Sequence, residues 1–219
     1  MLVTIEGIDG SGKSTLHQAL GTALADFSPV ITREPGSTWI GDAVRRAIRE
    51  QADPVAEALL FVADHAAHLR EIVRPALAEG HLVISDRYID SRYVYQQVTL
   101  DGIIPDPLSW LRAVHSGWTI IPDLTILLAV PVAVALERTG KRGEGEHFEQ
   151  EHVLSRVQEY YMRLVEEDPS RFVIIDGTLP PGSSIPARTH ALRITRCGNG
   201  ISTPSVVRHW STAKLTWLR

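Results

Sequence analysis

The hydrophobic positions of this chain follow two alternating periodicities. Continuous apolar runs, typical of buried strands, occur at residues 2–5, 29–32, 81–85, 124–129 and 172–175. Between these runs, apolar residues recur every three or four positions, as on one face of an amphipathic helix. Strands buried on both faces, alternating with helices, indicate a parallel sheet that is covered on both sides. The pattern therefore predicts an α/β fold.

The helical periodicity predicts six helical regions. Pro75 is expected to kink or divide the longest of them, because proline lacks an N–H group and clashes with the preceding turn. Gly102 and Pro105 are expected to break another region into two pieces. The predicted regions are 16–23, 40–48, 55–78, 91–115, 132–138 and 149–166.

Composition narrows the class of protein. The chain has 219 residues, of which 44% are hydrophobic and 22% charged, as in a soluble globular domain. Its apolar runs are too short to cross a membrane, and its first residues do not resemble a secretory signal. A single cysteine, Cys197, excludes an intramolecular disulfide. These features favour a cytoplasmic protein.

The charge is unevenly distributed. Residues 1–177 carry 16 Lys and Arg and all 26 Asp and Glu, for a net charge of −10, whereas residues 178–219 carry six basic residues and no acid. The acidic body argues against broad nucleic-acid binding. The basic C-terminal segment does not continue the strand and helix alternation.

A glycine-rich segment follows the first predicted strand and precedes a predicted helix. Residues 7–14 match the phosphate-loop pattern G-x-x-x-x-G-K-S/T. Its glycines allow backbone N–H groups to face phosphate oxygens, Lys13 brings charge to the outer phosphates, and the Ser14 hydroxyl can ligate Mg²⁺. A glycine-rich turn with an exposed lysine is the structural alternative. The residues predicted to bind a nucleotide are Gly7, Ile8, Asp9, Gly10, Ser11, Gly12, Lys13, Ser14 and Thr15.

A second candidate for the metal site is Asp86, which directly follows the third predicted strand. An Asp at the carboxyl end of a strand beside a phosphate loop can hold Mg²⁺ directly or through water. An ordinary turn residue is the alternative. Ser14 and Asp86 are therefore the predicted metal ligands.

Seven stretches, in order along the chain, give the sequence a resemblance to the thymidylate kinase family. The resemblance covers about residues 1–178 and leaves 179–219 as an atypical basic tail. The Arg-Glu-Pro-Gly and Asp-Arg-Tyr stretches are more specific than the phosphate loop, which many enzymes share. The matching stretches are 6–15, 32–36, 59–64, 86–91, 95–96, 122–125 and 176–178.

The resemblance implies a fold and a reaction. The fold is the P-loop NTPase fold, with a five-stranded parallel sheet, helices on both faces and a mobile lid. The reaction is the Mg²⁺-dependent transfer of a phosphoryl group from ATP to dTMP, giving dTDP for dTTP biosynthesis. The implied partners are these two small molecules and a second copy of the chain in a homodimer, without nucleic acid or membrane.

The resemblance also implies roles for individual residues. Arg33 and Arg87 would hold the reacting phosphates, and their forked guanidinium groups suit that task. Asp9 would face the 3′-hydroxyl of the acceptor sugar. Phe61 would stack on the base, although a phenylalanine on an amphipathic helix is more often part of the core. The remaining acceptor residues would be Tyr95, which crowds the sugar C2′, and Gln96, which lies near the base.

The predicted lid carries further basic residues. Ser11 is not basic, and in the family such a phosphate loop accompanies basic residues in the lid. Arg138, Lys141 and Arg142 lie in this region, and Arg138 and Arg142 are the predicted catalytic cations. A solvated helix end is the alternative.

Two positions depart from the family pattern. His65 replaces an arginine that normally touches the base, and Arg92 replaces a small polar residue near the base. Both are therefore predicted to bind the substrate. His65 and His68 are spaced as on one helix face, and we interpret them as a surface pair rather than as a zinc site.

These departures leave two alternatives to a thymidylate kinase open. The first is a nucleoside monophosphate kinase with altered base preference. The second is a nucleotide-binding protein without useful turnover. Five intact residues count against it: Lys13, Ser14, Arg33, Asp86 and Arg87.

Overall fold

A five-stranded parallel sheet forms the centre of the molecule, in the order β2-β3-β1-β4-β5. The computed structural model describes residues 1–140 and 150–179 and two short strands beyond them. All four strand pairs of the sheet are parallel, so the carboxyl ends of the strands share one edge. The strands are β1 (Leu2–Glu6), β2 (Val30–Arg33), β3 (Val83–Asp86), β4 (Leu124–Ala129) and β5 (Phe172–Asp176).

Helices connect the strands and cover the sheet. A 3₁₀ turn at Ala25–Phe27 follows the first helix. The helices are α1 (Lys13–Ala23), α2 (Trp39–Glu50), α3 (Pro54–His68), α4 (Arg74–Ala78), α5 (Ile89–Thr99), α6 (Pro107–His115), α7 (Val132–Thr139) and α8 (Glu151–Glu167).

The two faces of the sheet belong to different hydrophobic clusters, as neighbouring residues of β4 show. Ile126 and Leu128 pack with Leu20 of α1. Leu127 points the other way and packs with α8 residues such as Leu154 and with helices α2, α3 and α5. Because side chains alternate along a strand, a continuous apolar run supplies both faces. The predicted α/β architecture is confirmed.

The longest predicted helix is interrupted as expected. α3 ends at His68, and a π-helical segment at Leu69–Val73 joins it to α4. Pro75 lies in the first turn of α4. Because proline donates no backbone hydrogen bond, the looser turn directly before it accommodates the change of hydrogen-bonding pattern.

Part of the predicted lid and most of the basic tail lie outside the described residues. Lys141 and Arg142 are among them. In the tail, β6 (Thr195–Cys197) pairs antiparallel with β7 (Gly200–Ser202), separate from the main sheet. The division into a kinase-like domain at 1–178 and a tail at 179–219 remains a prediction. Within the described ranges, no helix is long and apolar enough to cross a membrane.

Candidate active site

The predicted phosphate loop connects β1 to α1, and its backbone requires glycine. Gly7, Gly10 and Gly12 have φ angles of 140°, 81° and 101°, a region that other residues rarely adopt. A Cβ atom at Gly10 would also collide with the carbonyl of Ala135, whereas Gly12 faces open space at the start of α1. The open N-terminal end of α1 is therefore available to an anion.

Lys13 lies beneath this loop. It is 7% exposed, and its Nζ donates to the carbonyl oxygen of Ile8 at 2.9 Å and lies 3.7 Å from Asp9 Oδ1. Burial, and then the neighbouring Arg87 cation, lower the pKa of Lys13 to about 8. An anion bound to the loop would stabilise the charged lysine and raise this pKa.

Ser14 and Asp86, the two predicted metal ligands, lie side by side. Ser14 Oγ donates to Asp86 Oδ2 at 3.4 Å. Asp86 Oδ1 is buried and has no hydrogen-bond partner among the residues that the structure describes. A hydroxyl and a carboxylate with an unsatisfied oxygen form the type of donor set that Mg²⁺ prefers. The residues present therefore fit a magnesium ion beside the phosphate loop.

Arg138, in the last turn of α7, contacts the same loop. Its Nη1 donates to the carbonyl oxygens of Gly10 at 3.2 Å and Gly177 at 2.9 Å. The half-buried guanidinium therefore lies against the phosphate loop. The other predicted lid cation, Arg142, lies outside the described residues.

A cavity opens next to the phosphate loop, between α2, α3 and α5. It brings together six of the eight residues predicted to bind the acceptor. Among the described residues, Arg33 and His65 are not in its lining. The lining consists of Asp9, Pro35, Arg45, Ile48, Phe61, Arg87, Ser91, Arg92, Tyr95 and Gln96.

Arg87, which follows β3, has a strained backbone that its surroundings hold in place. Its φ of 64° lies in the left-handed region, and its N–H donates to the carbonyl oxygen of Ile5 at 2.9 Å. The guanidinium donates to Asp9 Oδ1 at 2.6 Å, Ser91 Oγ at 2.9 Å and Tyr95 Oη at 3.2 Å. Strain of this kind persists where neighbouring contacts determine the conformation, and it clusters at functional sites.

Asp9 links the phosphate loop to the cavity. Burial opposes its ionisation, but the Arg87 and Lys13 cations lower the pKa of Asp9 to about 2. Tyr95 Oη donates to its other carboxylate oxygen, Oδ2, at 3.3 Å. Asp9 is thus a fixed negative charge at the boundary between the two binding regions.

A buried carboxylate, Glu34, organises the far wall of the cavity. Arg92 Nη2 donates to Glu34 Oε2 at 3.1 Å, and the Nδ1 atoms of His65 and His68 lie 2.9 and 2.5 Å from Oε1. Burial opposes ionisation, but His65, His68 and Arg92 hold the pKa of Glu34 well below its ordinary value. The group is a charged cluster that is closed to solvent.

His65 and His68 are buried, whereas the sequence pattern predicted a pair on the surface. Both are fully buried, so the interpretation of a surface pair is wrong. His65 Nε2 also lies 2.8 Å from Thr119 Oγ1, which directs the ring away from the cavity. A buried carboxylate needs hydrogen-bond donors, and the histidines supply them. Within the described part of the chain, no cluster of three or more His, Cys, Asp or Glu side chains could hold a metal ion.

Phe61 is both a core residue and a residue of the cavity wall, so it fits the two roles considered for it, packing in the core and stacking on the base. It is 4% exposed and packs in the core with residues such as Val44 and Ile48, yet its ring also lines the cavity. The Arg92 guanidinium lies over the ring, with its Cζ 4.3 Å from the centroid. Phe61 and Arg92 therefore form one stacked wall of the cavity.

Two other arginines lie differently from the expectation. Arg33, at the end of β2, is exposed. Arg45, which belongs to no recognisable sequence motif, lines the cavity from α2 and pairs with Asp42. Its spacing of three residues from Ile48, which also lines the cavity, places both side chains on one face of α2, but the sequence does not show that this face borders the cavity.

The fold and the site define a P-loop phosphotransferase: a parallel sheet, a phosphate loop with a buried lysine and a paired Ser and Asp, and an adjoining cavity that contains arginines. A family model described as thymidylate kinase matches residues 5–184. The chain belongs to the thymidylate kinase family.

Curated relatives agree with this assignment. A probable thymidylate kinase of Methanospirillum hungatei is 80% identical over 193 residues, covering 88% of this chain and 94% of that protein. Probable thymidylate kinases of Methanoculleus marisnigri and Methanosarcina mazei are 60% and 52% identical, each covering 82% of this chain and 88% of the relative.

Proposed function

We propose that this chain transfers the γ-phosphoryl group of ATP to the phosphate of dTMP, giving dTDP and ADP for dTTP biosynthesis, with Mg²⁺ bound. The observation that carries the proposal is the contact between Asp9 of the phosphate loop and Arg87 of the cavity. It joins a site suited to a nucleoside triphosphate to a site suited to a phosphorylated acceptor. The family assignment supplies the identity of the acceptor.

The phosphate loop and the start of α1 bind ATP. Backbone N–H groups and Lys13 surround the phosphates, and ATP stabilises the protonated lysine. Ser14 and Asp86 would hold Mg²⁺, which neutralises phosphate charge when bound. The unsatisfied Asp86 oxygen supports this assignment.

The transfer itself needs alignment and positive charge more than covalent chemistry. An oxygen of the dTMP phosphate attacks the γ-phosphorus while the bond from that phosphorus to the oxygen shared with the β-phosphate breaks, and ADP leaves with that oxygen. Arg87 and Lys13 stabilise the charge that spreads over the phosphoryl oxygens. Arg45, on the cavity wall, binds the acceptor phosphate, and the exposed Arg33 turns toward the phosphates when substrates bind.

The cavity holds the nucleoside. Asp9 accepts from the 3′-hydroxyl of the sugar, and Tyr95 occupies the space that a 2′-hydroxyl would need. Phe61, Arg92 and Gln96 surround the base. His65, in the wall behind Glu34, supports the base site without touching the base.

The lid closes over the reacting phosphates. Arg138 already contacts the loop carbonyl of Gly10. We propose that lid closure brings Arg142 to the phosphates and excludes water, which limits ATP hydrolysis. The enzyme acts as a cytoplasmic homodimer on two small molecules and needs neither nucleic acid nor a membrane.

A coupled assay of ADP formation tests this proposal on the full chain. The acceptors are dTMP, dUMP, UMP, CMP and dGMP, each with ATP and Mg²⁺. We expect the highest kcat/KM for dTMP, with UMP far below dUMP because of Tyr95. A different best acceptor would indicate altered base preference, which the His65 and Arg92 departures would explain. ATP binding without turnover on any acceptor would refute the assignment as a kinase.

A further inference from the structure

Three buried polar atoms, on two residues that line the acceptor cavity, lack partners among the described residues. Within residues 1–140 and 150–179, Arg92 Nε and both amide atoms of Gln96, Oε1 and Nε2, have no hydrogen bond. The two side chains are 2% and 1% exposed, and both line the cavity. Buried polar atoms are costly unless they are paired, so these atoms indicate a ligand with a polar edge.

Gln96 alone cannot determine which base is bound. Its amide offers one acceptor and one donor group, and rotation by 180° exchanges them. One orientation complements the N3–H and the carbonyls of thymine, and the other complements the N3 and the 4-amino group of cytosine. A second side chain with a fixed hydrogen-bonding character is needed to separate these bases.

Arg92 has that character, because a guanidinium donates hydrogen bonds and accepts none. Two contacts fix its orientation. The guanidinium Cζ lies over the Phe61 ring, 4.3 Å from its centroid, and Nη2 donates to Glu34 Oε2 at 3.1 Å, so these two contacts together restrain the position and rotation of the guanidinium. The donors of a planar guanidinium lie in its plane, so their directions are also fixed.

Glu34 is held in turn by two histidines of α3. His65 donates to both carboxylate oxygens, at 2.9 and 3.1 Å, and His68 donates to Oε1. The carboxylate therefore cannot turn away from Arg92 without losing these bonds. Glu34, His65 and His68 are positioning residues that act on the base through Arg92.

We propose that Arg92 selects 4-oxo over 4-amino pyrimidine nucleotides by donating a hydrogen bond to the 4-carbonyl of the base. This inference rests on the proposed function, since it assigns base selectivity to the acceptor site of that reaction. Hydrogen-bond donors that point at the 4-carbonyl stabilise the binding of a thymine base. Against cytosine, the same donors face an amino group, and neither partner can accept.

The test compares dTMP with 5-methyl-dCMP, which differs from dTMP only in its 4-amino group and in the proton at N3. Turnover and calorimetric affinity are measured for both ligands. Replacing Arg92→Met removes the donors and keeps a side chain of similar length. We expect kcat/KM and affinity for dTMP to fall about 10- to 100-fold, with a smaller change for 5-methyl-dCMP. Equal losses for both ligands, or none for dTMP, would overturn the proposal.

The matched control is Arg156→Met. Arg156 also lies over an aromatic ring, that of Tyr160, and pairs with a carboxylate, that of Asp101, but on the surface of α8. For this variant, we expect the ratio of kcat/KM for dTMP to kcat/KM for 5-methyl-dCMP to equal that of the wild type. A fall equal to that of Arg92→Met would show that the effect is not specific to the cavity and would overturn the proposal.

Two further variants address folding and positioning. If Arg92→Met does not fold because Glu34 is left unpaired, the double variant Glu34→Gln, Arg92→Met removes both charges. In this double variant, the ratio of kcat/KM for dTMP to that for 5-methyl-dCMP should also fall. A ratio within about twofold of the wild-type value would count against the proposal. Glu34→Gln alone should raise the KM for dTMP and leave the KM for ATP unchanged.

The affinities for dTMP and 5-methyl-dCMP, measured beside turnover, distinguish a failure of the proposed function from a failure of the selectivity assigned to Arg92. A wild-type protein that binds dTMP more tightly than 5-methyl-dCMP but does not phosphorylate it would refute the proposed function and leave the selectivity of Arg92 intact. A wild-type protein that phosphorylates dTMP and 5-methyl-dCMP equally well would support the proposed function and refute the selectivity assigned to Arg92.

Discussion

Arg87 donates a 2.6 Å hydrogen bond to Asp9, and this contact ties the end of β3 to the phosphate loop. Arg87 comes from the loop that follows the strand beside β1, so the parallel order of the sheet brings the two residues together. The pair lies at the boundary between the phosphate loop and the acceptor cavity. An alignment of two substrates across this boundary is what phosphoryl transfer requires.

Removing either central cation should abolish most activity. We expect Lys13→Ala and Arg87→Ala each to lower kcat/KM on the order of a thousandfold, because each loses charge that stabilises the transition state. Arg46→Ala is a control that removes an exposed cation paired with Glu50 on α2, and it should retain wild-type activity. Circular dichroism checks the fold. Near-normal turnover in either folded variant would remove that residue from the mechanism.

Activity should depend on the protonation of Lys13. Its pKa in the free protein is about 8, so the charged form predominates below that pH and is lost above it. We expect kcat/KM for ATP to fall up to tenfold per pH unit above about pH 8, with kcat less affected because bound phosphates raise the pKa. In Lys13→Arg, which stays charged, this decline should disappear. A decline that is unchanged in Lys13→Arg would assign it to another group.

His65 and Arg92 should be energetically coupled, since both contact Glu34. We expect Arg92→Ser to lower kcat/KM for dTMP about 10- to 100-fold, and His65→Arg to restore part of that loss by returning a donor to the Glu34 cluster. A double-mutant cycle of the two substitutions measures the coupling. Additive effects would show that the departures do not compensate for each other.

The basic tail should be dispensable for chemistry. Every residue assigned to a catalytic or binding role precedes position 150, so a chain that ends at Thr178 should keep the substrate preference of the full chain. A lower melting temperature is compatible with this prediction. If the shortened protein is well folded by circular dichroism but cannot phosphorylate dTMP, the tail contributes to the active enzyme.

Sequence periodicity predicted the fold closely because the relevant signals are local. The apolar run at 124–129 coincides with β4, and the division near Pro75 is present. Both follow from the side-chain pattern and backbone chemistry of neighbouring residues. The phosphate loop is also contiguous in sequence, so its context could be predicted before its geometry was known.

The far wall of the cavity could not be predicted in the same way. Glu34, His65 and Arg92 come from three separate segments, and their contact depends on how α3 and α5 pack. Spacing along α3 alone suggested a surface histidine pair, because the buried carboxylate that both rings contact is distant in sequence. Arg45 was overlooked for a related reason: its role depends on which face of α2 borders the cavity.

The most direct test of the central claim follows the transferred phosphoryl group itself. The full chain is incubated with dTMP, Mg²⁺ and ATP labelled at the γ-phosphate, and the products are separated and their phosphates distinguished. We predict label at the β-phosphate of dTDP, in amounts equal to the ADP formed, and almost none with Arg87→Ala. Label released only as inorganic phosphate, with dTMP recovered unchanged, would contradict the assignment of this site as a dTMP kinase.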